Sequence, residues 1–138
     1  MQLKRDTDYA LRILFYIGGQ QSGTDAASNG FSSSDISTQT GVPRMSVDRI
    51  CGYLGEKRII AAKTAENGEY LYYPGPGFGR KSLLEVVRAA EGGADIFAVF
   101  DRKSPFYRAH GARLREIQAG LDKLLSDISL KDFLGGER

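Results

Sequence analysis

Residues 32–54, SSSDISTQTGVPRMSVDRICGYL, decide the fold of this chain. The stretch opens with an S-x-x-D pattern, in which a hydroxyl and a carboxylate satisfy the free N–H groups at the start of a helix. That helix is predicted to run to about Thr40, where Gly41-Val42-Pro43 ends it, and a second helix can begin directly after the proline. Two short helices joined by a tight turn that contains glycine are typical of a helix-turn-helix.

The second of these helices has one apolar face. Its members recur at the i, i+3, i+4 and i+7 spacing that aligns side chains on one side of a helix: Val47, Ile50, Cys51 and Leu54. Other positions near its start are predicted to face DNA: Arg44, Met45, Ser46, Asp48 and Arg49. Arginine can bond a guanine edge or a phosphate, serine suits either, and aspartate can accept from cytosine N4. The alternative is an ordinary solvated helix face, on which the aspartate pairs with a neighbouring arginine.

A hairpin is predicted directly after this helix pair. Residues 58–64, RIIAAKT, and 69–73, EYLYY, have the composition of strands, and the Asn67-Gly68 pair between them is the strongest short-range signal for a hairpin turn. A β-hairpin in this position is a wing. Lys63 is predicted to touch phosphate near the wing tip, and an exposed lysine without a DNA contact is the equally open alternative.

Helices are also predicted on both sides of this unit. An amphipathic helix begins at Asp6 or Thr7 and stops at Gly18-Gly19, and another is capped by Ser82. Residues 94–107 show no clear period. From about Phe106 a long helix carries apolar residues at alternating steps of three and four, which predicts a dimerisation seam: Leu114, Ile117, Leu121, Leu124 and Ile128.

Composition and charge exclude several classes of protein. Hydrophobic residues make up 41% of the chain and charged residues 26%, which is ordinary for a globular protein and excludes a wholly disordered one. The N-terminal stretch is interrupted by Asp6, Asp8 and Arg12, so we expect a cytoplasmic protein with no targeting signal and no membrane partner. The net charge is only +2, so any contact with nucleic acid must come from the local placement of charge.

The order of these elements, together with five short motifs, resembles the Rrf-two family (IscR/NsrR type) of bacterial winged-helix transcriptional regulators. The motifs are MQLKRDTDYALRILFYI at 1–17, the helix pair already quoted, NGEYLYY at 67–73, SLLEVVRAAEGG at 82–93 and ISLKDF at 128–133. The resemblance implies a homodimer. Each protomer's winged helix would enter one half-site of a pseudo-palindromic operator in double-stranded DNA, while the long C-terminal helices pack across the two-fold axis.

Two departures from the family pattern bear on function. Many members carry three cysteines before the long helix, and these ligate an iron–sulfur cluster, whereas residues 93–111, GADIFAVFDRKSPFYRAHG, contain none. We therefore expect no cofactor, and no iron–sulfur cluster in particular. The family's wing often reads R-G-x-x-G-G, but here Thr64-Ala65 replace the Arg-Gly pair of the usual minor-groove contact.

Cys51 and His110 are the only residues of their types. Cys51 is predicted to pack in the core, with a redox sensor as the alternative. A metal site at His110 would have to recruit carboxylates such as Glu91, Asp95 and Asp101, so no metal is predicted. Aromatic residues near the start of the long helix either fill core space or line a pocket for a small effector: Phe97, Phe100, Phe106 and Tyr107.

Enzymatic activity is not predicted. PGPGFGR at 74–80 lacks the lysine of a phosphate-binding loop, and a Ser-His-Asp set finds no support in the spacing of one histidine.

The sequence predicts an α+β protein, mostly α, with a winged helix-turn-helix DNA-binding domain at 1–80. Residues 81–138 would hold a linker helix, a former sensor stretch and the dimerisation helix. The predicted function is a dimeric, sequence-specific transcriptional regulator. The alternative is a dimeric interaction or effector-sensing module that does not bind DNA, in which Arg44 and Arg49 would be replaceable.

Overall fold

The computed structural model of the protein describes residues 5–19, 30–92 and 104–135. Its helices are α1 (Arg5–Gly19), α2 (Ser33–Thr40), α3 (Arg44–Glu56), α4 (Leu83–Glu91), α5 (Pro105–Ser126) and α6 (Leu130–Gly135). Its strands are β1 (Phe31–Ser32), β2 (Ile60–Thr64) and β3 (Tyr70–Pro74). The predicted α+β class, mostly α, is confirmed. Within these described ranges, no helix is both long enough and apolar enough to cross a membrane.

The helix-turn-helix is formed by α2 and α3. At the start of α2, the Ser32 hydroxyl accepts a hydrogen bond from the Asp35 N–H at 3.1 Å, which is the hydroxyl half of the predicted capping box. At its end, Gly41 adopts a left-handed φ of 77° and donates its N–H to the Ser37 carbonyl at 2.9 Å. Glycine enters this conformation without the steric cost that a Cβ imposes. The turn that sets the orientation of α3 can therefore be predicted from the local sequence.

The wing belongs to a three-stranded antiparallel sheet of order β1-β3-β2. Tyr72 on β3 pairs with Phe31 of β1 on one side and with Ala62 of β2 on the other. Strand β1, which is only two residues long, was not predicted. The predicted start of β2 at Arg58 is too early, because Arg58 has a φ of 59° and therefore belongs to the turn after α3.

One hydrophobic core joins the helix pair, the sheet and the flanking helices. Its largest fully buried side chains in the first 60 residues include Ile13, Leu14, Ile17, Ile36, Val47, Ile50, Leu54 and Ile59. Helix α4 adds Val86 and Ala90 to the same cluster, and α6 adds Leu130. Each fully buried aliphatic side chain stabilises the fold by about 1.5–3 kcal/mol, so this cluster holds α3 firmly in place. The domain boundary between residues 80 and 81 stays a prediction.

The double glycine that was predicted to stop α1 forms the last two residues of the helix, Gly18 and Gly19. At Gly18, a Cβ would lie only 2.6 Å from the Phe78 ring, so glycine here makes room for an aromatic side chain. Phe78 belongs to a short 3₁₀ turn, Phe78–Arg80, that follows the wing. Gly18 therefore allows the end of α1 to pack closely against the turn that follows the wing.

Helix α5 makes few contacts with the described remainder of the chain. Ser104 caps it by accepting from the Tyr107 N–H at 3.2 Å. Among the 22 residues of α5, only Gly111 is buried. The end of α5 and the turn after it rest on a small cluster, in which Leu125 and Ile128 pack against apolar residues of α4. The predicted pocket residues Phe97 and Phe100, and the carboxylates Asp95 and Asp101, lie outside the described residues.

Candidate nucleic-acid interface

The start of α3 is anchored on one side and exposed on the other. Its predicted apolar face is buried against the core: Val47, Ile50, Cys51 and Leu54. Pro43 precedes the helix, and within the described part of the chain no side chain caps its first N–H groups. These N–H groups and the positive end of the helix dipole favour an anion, such as a phosphate, at this end of the helix.

Four of the predicted DNA-contacting residues lie together at this end: Arg44, Met45, Ser46 and Arg49. Met45 is 87% exposed, so its thioether chain contributes almost nothing to the core. Arg44 and Arg49 are also exposed, and Ser46 is half-buried. An exposed surface that combines two cations, a hydroxyl and an apolar side chain can contact phosphates, base edges and a thymine methyl group.

Arg49 is held by the start of α1. Its Nη1 donates to the Asp6 carboxylate, and its Nη2 lies 3.4 Å from the Ser46 hydroxyl. The hydrogen bond from Arg49 to Asp6 raises the pKa of the guanidinium further above its usual value, so the group is a cation at every pH of interest. The same region forms a recess of about 420 Å³ to which Arg5, Tyr9 and Pro43 also contribute.

Arg44 faces the wing. Its Nη2 lies 3.6 Å from Glu69 Oε1, which is close enough for an ion pair and too far for a hydrogen bond. Glu69 is held in turn by Asn67, whose amide nitrogen donates to the Glu69 carboxylate at 3.1 Å. The Asn67 side-chain oxygen also accepts from the Glu69 N–H at 3.0 Å. The hairpin turn therefore fixes a carboxylate beside the first residue of the helix.

Asp48 points to the sheet side of α3. Its carboxylate accepts from the hydroxyl of Ser33 and, at 3.3 Å, from the hydroxyl of Tyr72. Burial, followed by the nearby Cys51 and Asp48, raises the pKa of Tyr72 to about 12. Asp48 thus pairs with two hydroxyl groups rather than with a neighbouring arginine, and its proposed contact with cytosine stays a prediction.

A groove of about 890 Å³ separates α3 from the β2–β3 hairpin. Arg44 lines it from the helix, and Gly68, Glu69 and Tyr70 line it from the wing. Lys63 is exposed on β2, opposite Leu71 in the register of the hairpin. Lys63 has no ion pair with any residue that the structure describes, so its cation is open to a phosphate.

Cys51 is buried on the inner face of α3. Burial first, and then the negative charge of Asp48, raise the pKa of its thiol to about 12. A thiol with so high a pKa stays protonated near neutral pH and is a poor nucleophile and metal ligand. These properties favour core packing over redox sensing.

His110 lies on α5, where its ring packs against the ring of Phe106 with a centroid distance of 4.9 Å. Both side chains are exposed. In the part of the chain that the structure covers, no group of three or more histidine, cysteine, aspartate or glutamate residues could hold a metal ion. Asp95 and Asp101, two of the carboxylates that such a site would have to recruit, lie outside the described residues, so the expectation of no metal site at His110 stays a prediction.

The predicted dimerisation seam lies on α5 and its C-terminal turn. Ile117 is 47% exposed and Leu124 is 60% exposed, while Leu114 and Leu121 are half-buried. Phe106, 62% exposed, extends the same stripe towards the start of the helix. Ile128 contributes to the small cluster with α4, so part of its apolar surface is already used within the chain.

The ion pairs of Arg44 and Arg49 were not predicted from the sequence. Asp6 and Arg49 are 43 positions apart, and neither their spacing nor any motif links them. Only the opposite charges offered a signal, and many other pairs in the sequence carry opposite charges. Tertiary placement of α1 and of the wing around α3 is what brings these carboxylates to the arginines.

Comparisons with known proteins establish the fold. No protein-family model matches the chain, and no curated protein does. CymR, the global cysteine regulator of B. subtilis, superimposes with a TM-score of 0.73 at 14% identity, covering 100% of this chain and 99% of that one. IscR of T. potens gives 0.66 at 14% identity, covering 100% of this chain and 89% of that one. A crystal structure of a supposed DNA-binding protein gives 0.64 at 21% identity, with coverage of 94% and 98%. The chain therefore has the winged-helix fold of the transcriptional regulators CymR and IscR.

Proposed function

We propose that this protein is a homodimeric transcriptional regulator of the Rrf-two type that binds a pseudo-palindromic operator in double-stranded DNA. The observation that carries the proposal is the exposed start of α3, where Arg44, Met45, Ser46 and Arg49 lie together beside a wing. In a helix-turn-helix, residues at this end of the second helix contact base edges in the major groove. Such a role places the protein in the cytoplasm, with the DNA, and needs no catalytic chemistry.

Each group in this surface has a distinct role in the proposed complex. Arg44 contacts a guanine edge, while Arg49, held by Asp6, contacts the DNA backbone beside the recess at the start of α1. Ser46 donates to a phosphate or a base, and the uncapped N–H groups of α3 favour a phosphate. Lys63 on the wing contributes affinity through a phosphate contact that carries no sequence information.

Dimerisation is supported by the unpartnered stripe on α5. Ile117 and Leu124 are both well exposed on a helix that buries only Gly111 within its own chain. A second copy of the helix would cover this stripe and bury apolar area on both protomers. Two winged helices held together in this way can bind two half-sites about one DNA turn apart.

The residues of this chain do not fit an iron–sulfur cluster. Such clusters are held mainly by cysteine thiolates, and the chain has a single cysteine, Cys51. That thiol is buried and has a raised pKa, so it cannot readily supply a thiolate. We propose a regulator without a cluster, whose activity responds to another effector, to a partner protein or to its own abundance.

Selection from random DNA tests this function. The full chain is incubated with a pool of random duplexes, and bound fragments are amplified and sequenced over several rounds. We expect a palindromic sequence to be enriched, with half-sites separated by about one helical turn. An Arg44→Ala, Arg49→Ala double variant, shown by circular dichroism to be folded, serves as the control and should not enrich it. A wild-type pool that stays random would overturn the proposal.

A second candidate function is a dimeric interaction or effector-sensing module that does not bind DNA. One observation favours it: both arginines at the start of α3 already have carboxylate partners within the chain. If those pairs serve only the stability of the fold, the same random-DNA selection will yield no enriched sequence. Retention of a protein partner by the arginine double variant would then support the interaction module.

A further inference from the structure

We infer that Glu69, on the wing, determines how well the protein discriminates its operator from other DNA, by keeping Arg44 from binding phosphate. This inference rests on the proposed DNA-binding function and names a residue that the sequence analysis did not associate with DNA. The juxtaposition of Glu69 with Arg44 across the groove between wing and helix carries it.

The geometry places a negative charge beside Arg44 without occupying its donors. Glu69 Oε1 lies 3.6 Å from Arg44 Nη2, beyond hydrogen-bond distance. The guanidinium therefore keeps its planar set of N–H donors for another acceptor. A bidentate contact with guanine O6 and N7 needs two of these donors and brings no formal charge near Glu69.

A phosphate differs from a guanine edge in this respect. Its negative charge would have to approach Arg44 in the presence of the Glu69 carboxylate, so the two anions would repel each other. Glu69 weakens any contact between Arg44 and a phosphate and leaves the contact with a neutral base edge nearly unchanged. Phosphate contacts supply most of the affinity for non-specific DNA, so weakening them raises discrimination.

The wing is built to hold this carboxylate in place. Asn67 donates to one Glu69 oxygen and accepts from the Glu69 N–H, while the turn between them is closed by Gly68 at a φ of 88°. The other Glu69 oxygen faces Arg44. Asp6 acts differently on Arg49, since that pair is a direct hydrogen bond that consumes a donor and ties α3 to α1.

The test compares Glu69→Gln with Glu66→Gln. Glu66 is exposed on the same wing turn and has no ion pair with any described residue, so both variants remove one charge from the same surface. The probes are a duplex that carries the sequence enriched by the wild type and a scrambled duplex of the same composition. Binding of the full-length variants to each is measured by fluorescence anisotropy at several salt concentrations.

We expect Glu69→Gln to bind the scrambled duplex about two- to fivefold more tightly, which matches the strength of an exposed ion pair, and the enriched duplex less than about twofold more tightly. The salt dependence on the scrambled duplex should steepen by about 0.9 for each phosphate contact that Arg44 gains. Glu66→Gln should change binding to the two duplexes by equal factors. In an Arg44→Ala background, Glu69→Gln should no longer change discrimination.

Three outcomes would overturn the inference while leaving the proposed function intact. They are equal effects of Glu69→Gln on both duplexes, a loss of binding to the enriched duplex alone, and an unchanged effect in the Arg44→Ala background. If the wild type enriches no sequence, the proposed function fails first, and the role of Glu69 fails with it because there is no discrimination to determine.

Discussion

Helix α3 buries four residues in the core of its own chain, whereas the longer helix α5 buries only Gly111. The outer side of α3 is charged, and those charges have partners on other elements, Asp6 and Glu69 among them. Helix α5 instead carries an apolar stripe that stays exposed at Ile117 and Leu124. Helix α3 is therefore fully packed on its inner side and presents cations to an anionic ligand on its outer side. Helix α5 needs another apolar surface to cover its stripe.

The largest expected effect concerns the uncovered helix. Leu121→Asp should convert the proposed dimer to monomers, weakening association by more than about 100-fold, because each protomer would bury a carboxylate at a cost of several kcal/mol. Sedimentation velocity at micromolar concentration measures the change. Ala119→Asp, an exposed position on the same helix outside the apolar stripe, is the matched control and should remain dimeric. A Leu121→Asp variant that is still dimeric would show that the seam lies elsewhere.

The next effect concerns the outer side of α3. Arg44→Ala and Arg49→Ala should each weaken binding to the enriched duplex by about 1–3 kcal/mol. Arg49→Ala should also lower the free energy of unfolding by up to about 1 kcal/mol, since Asp6 loses its partner. Arg44→Ala should leave stability nearly unchanged.

Fluorescence anisotropy measures the binding to DNA, and urea denaturation measures the free energy of unfolding. The control is Arg12→Ala, which removes a cation that pairs with Asp8 on α1 at an exposed site. If Arg44 or Arg49 touches only phosphate, binding should fall similarly on all sequences and the salt dependence should flatten. Undiminished binding by the folded double alanine variant would contradict the assignment of α3 as the recognition helix.

A smaller effect tests Met45, the apolar side chain at the exposed start of α3. If Met45 contacts a thymine methyl group, replacing that thymine by uracil should weaken wild-type binding about fourfold, the value of one buried methyl group. Scanning each thymine of the enriched duplex finds the position. Met45→Ala should bind the thymine and uracil duplexes equally. Indifference of the wild type at every position would show that Met45 reads no thymine methyl.

Local sequence patterns were sufficient to predict the buried face of α3 and the turn before it. The i, i+3, i+4, i+7 spacing identified the buried face that Val47 and Leu54 share, and the glycine before Val42 identified the turn. These features depend on neighbours within one or two helical turns, where backbone geometry fixes which side chains align. The Asn67-Gly68 pair likewise located the hairpin, because a tight turn needs only its own residues.

The candidate site was predicted less completely, for a physical reason. The residues at the start of α3 could be named, but their partners could not, because ion pairs such as Arg49 with Asp6 form only when distant elements pack. Asp48 shows the same limit: its hydroxyl partners come from α2 and β3. Charge type is visible in a sequence, whereas the distance between two charges is a property of the fold.

The effect that is smallest near neutral pH concerns the buried side of α3. Because the pKa of the Cys51 thiol is about 12 in the folded protein, above its ordinary value of 9.0, the thiol stays protonated in the fold while it ionises in the unfolded chain. The unfolded state therefore binds fewer protons above pH 9, and the free energy of unfolding should fall as the pH rises from 8 to 11. Tyr72, whose pKa is also raised to about 12 from 10.0, adds to the fall only at the upper end of this range.

Urea denaturation across the pH series measures how the free energy of unfolding depends on pH. Cys51→Ala should reduce this slope between pH 8 and 10, leaving the tyrosine contribution. A slope that is unchanged by Cys51→Ala, or rapid labelling of Cys51 by a thiol reagent in the native protein at pH 8, would show that this side of α3 opens to solvent and is not the rigid support that the recognition surface requires.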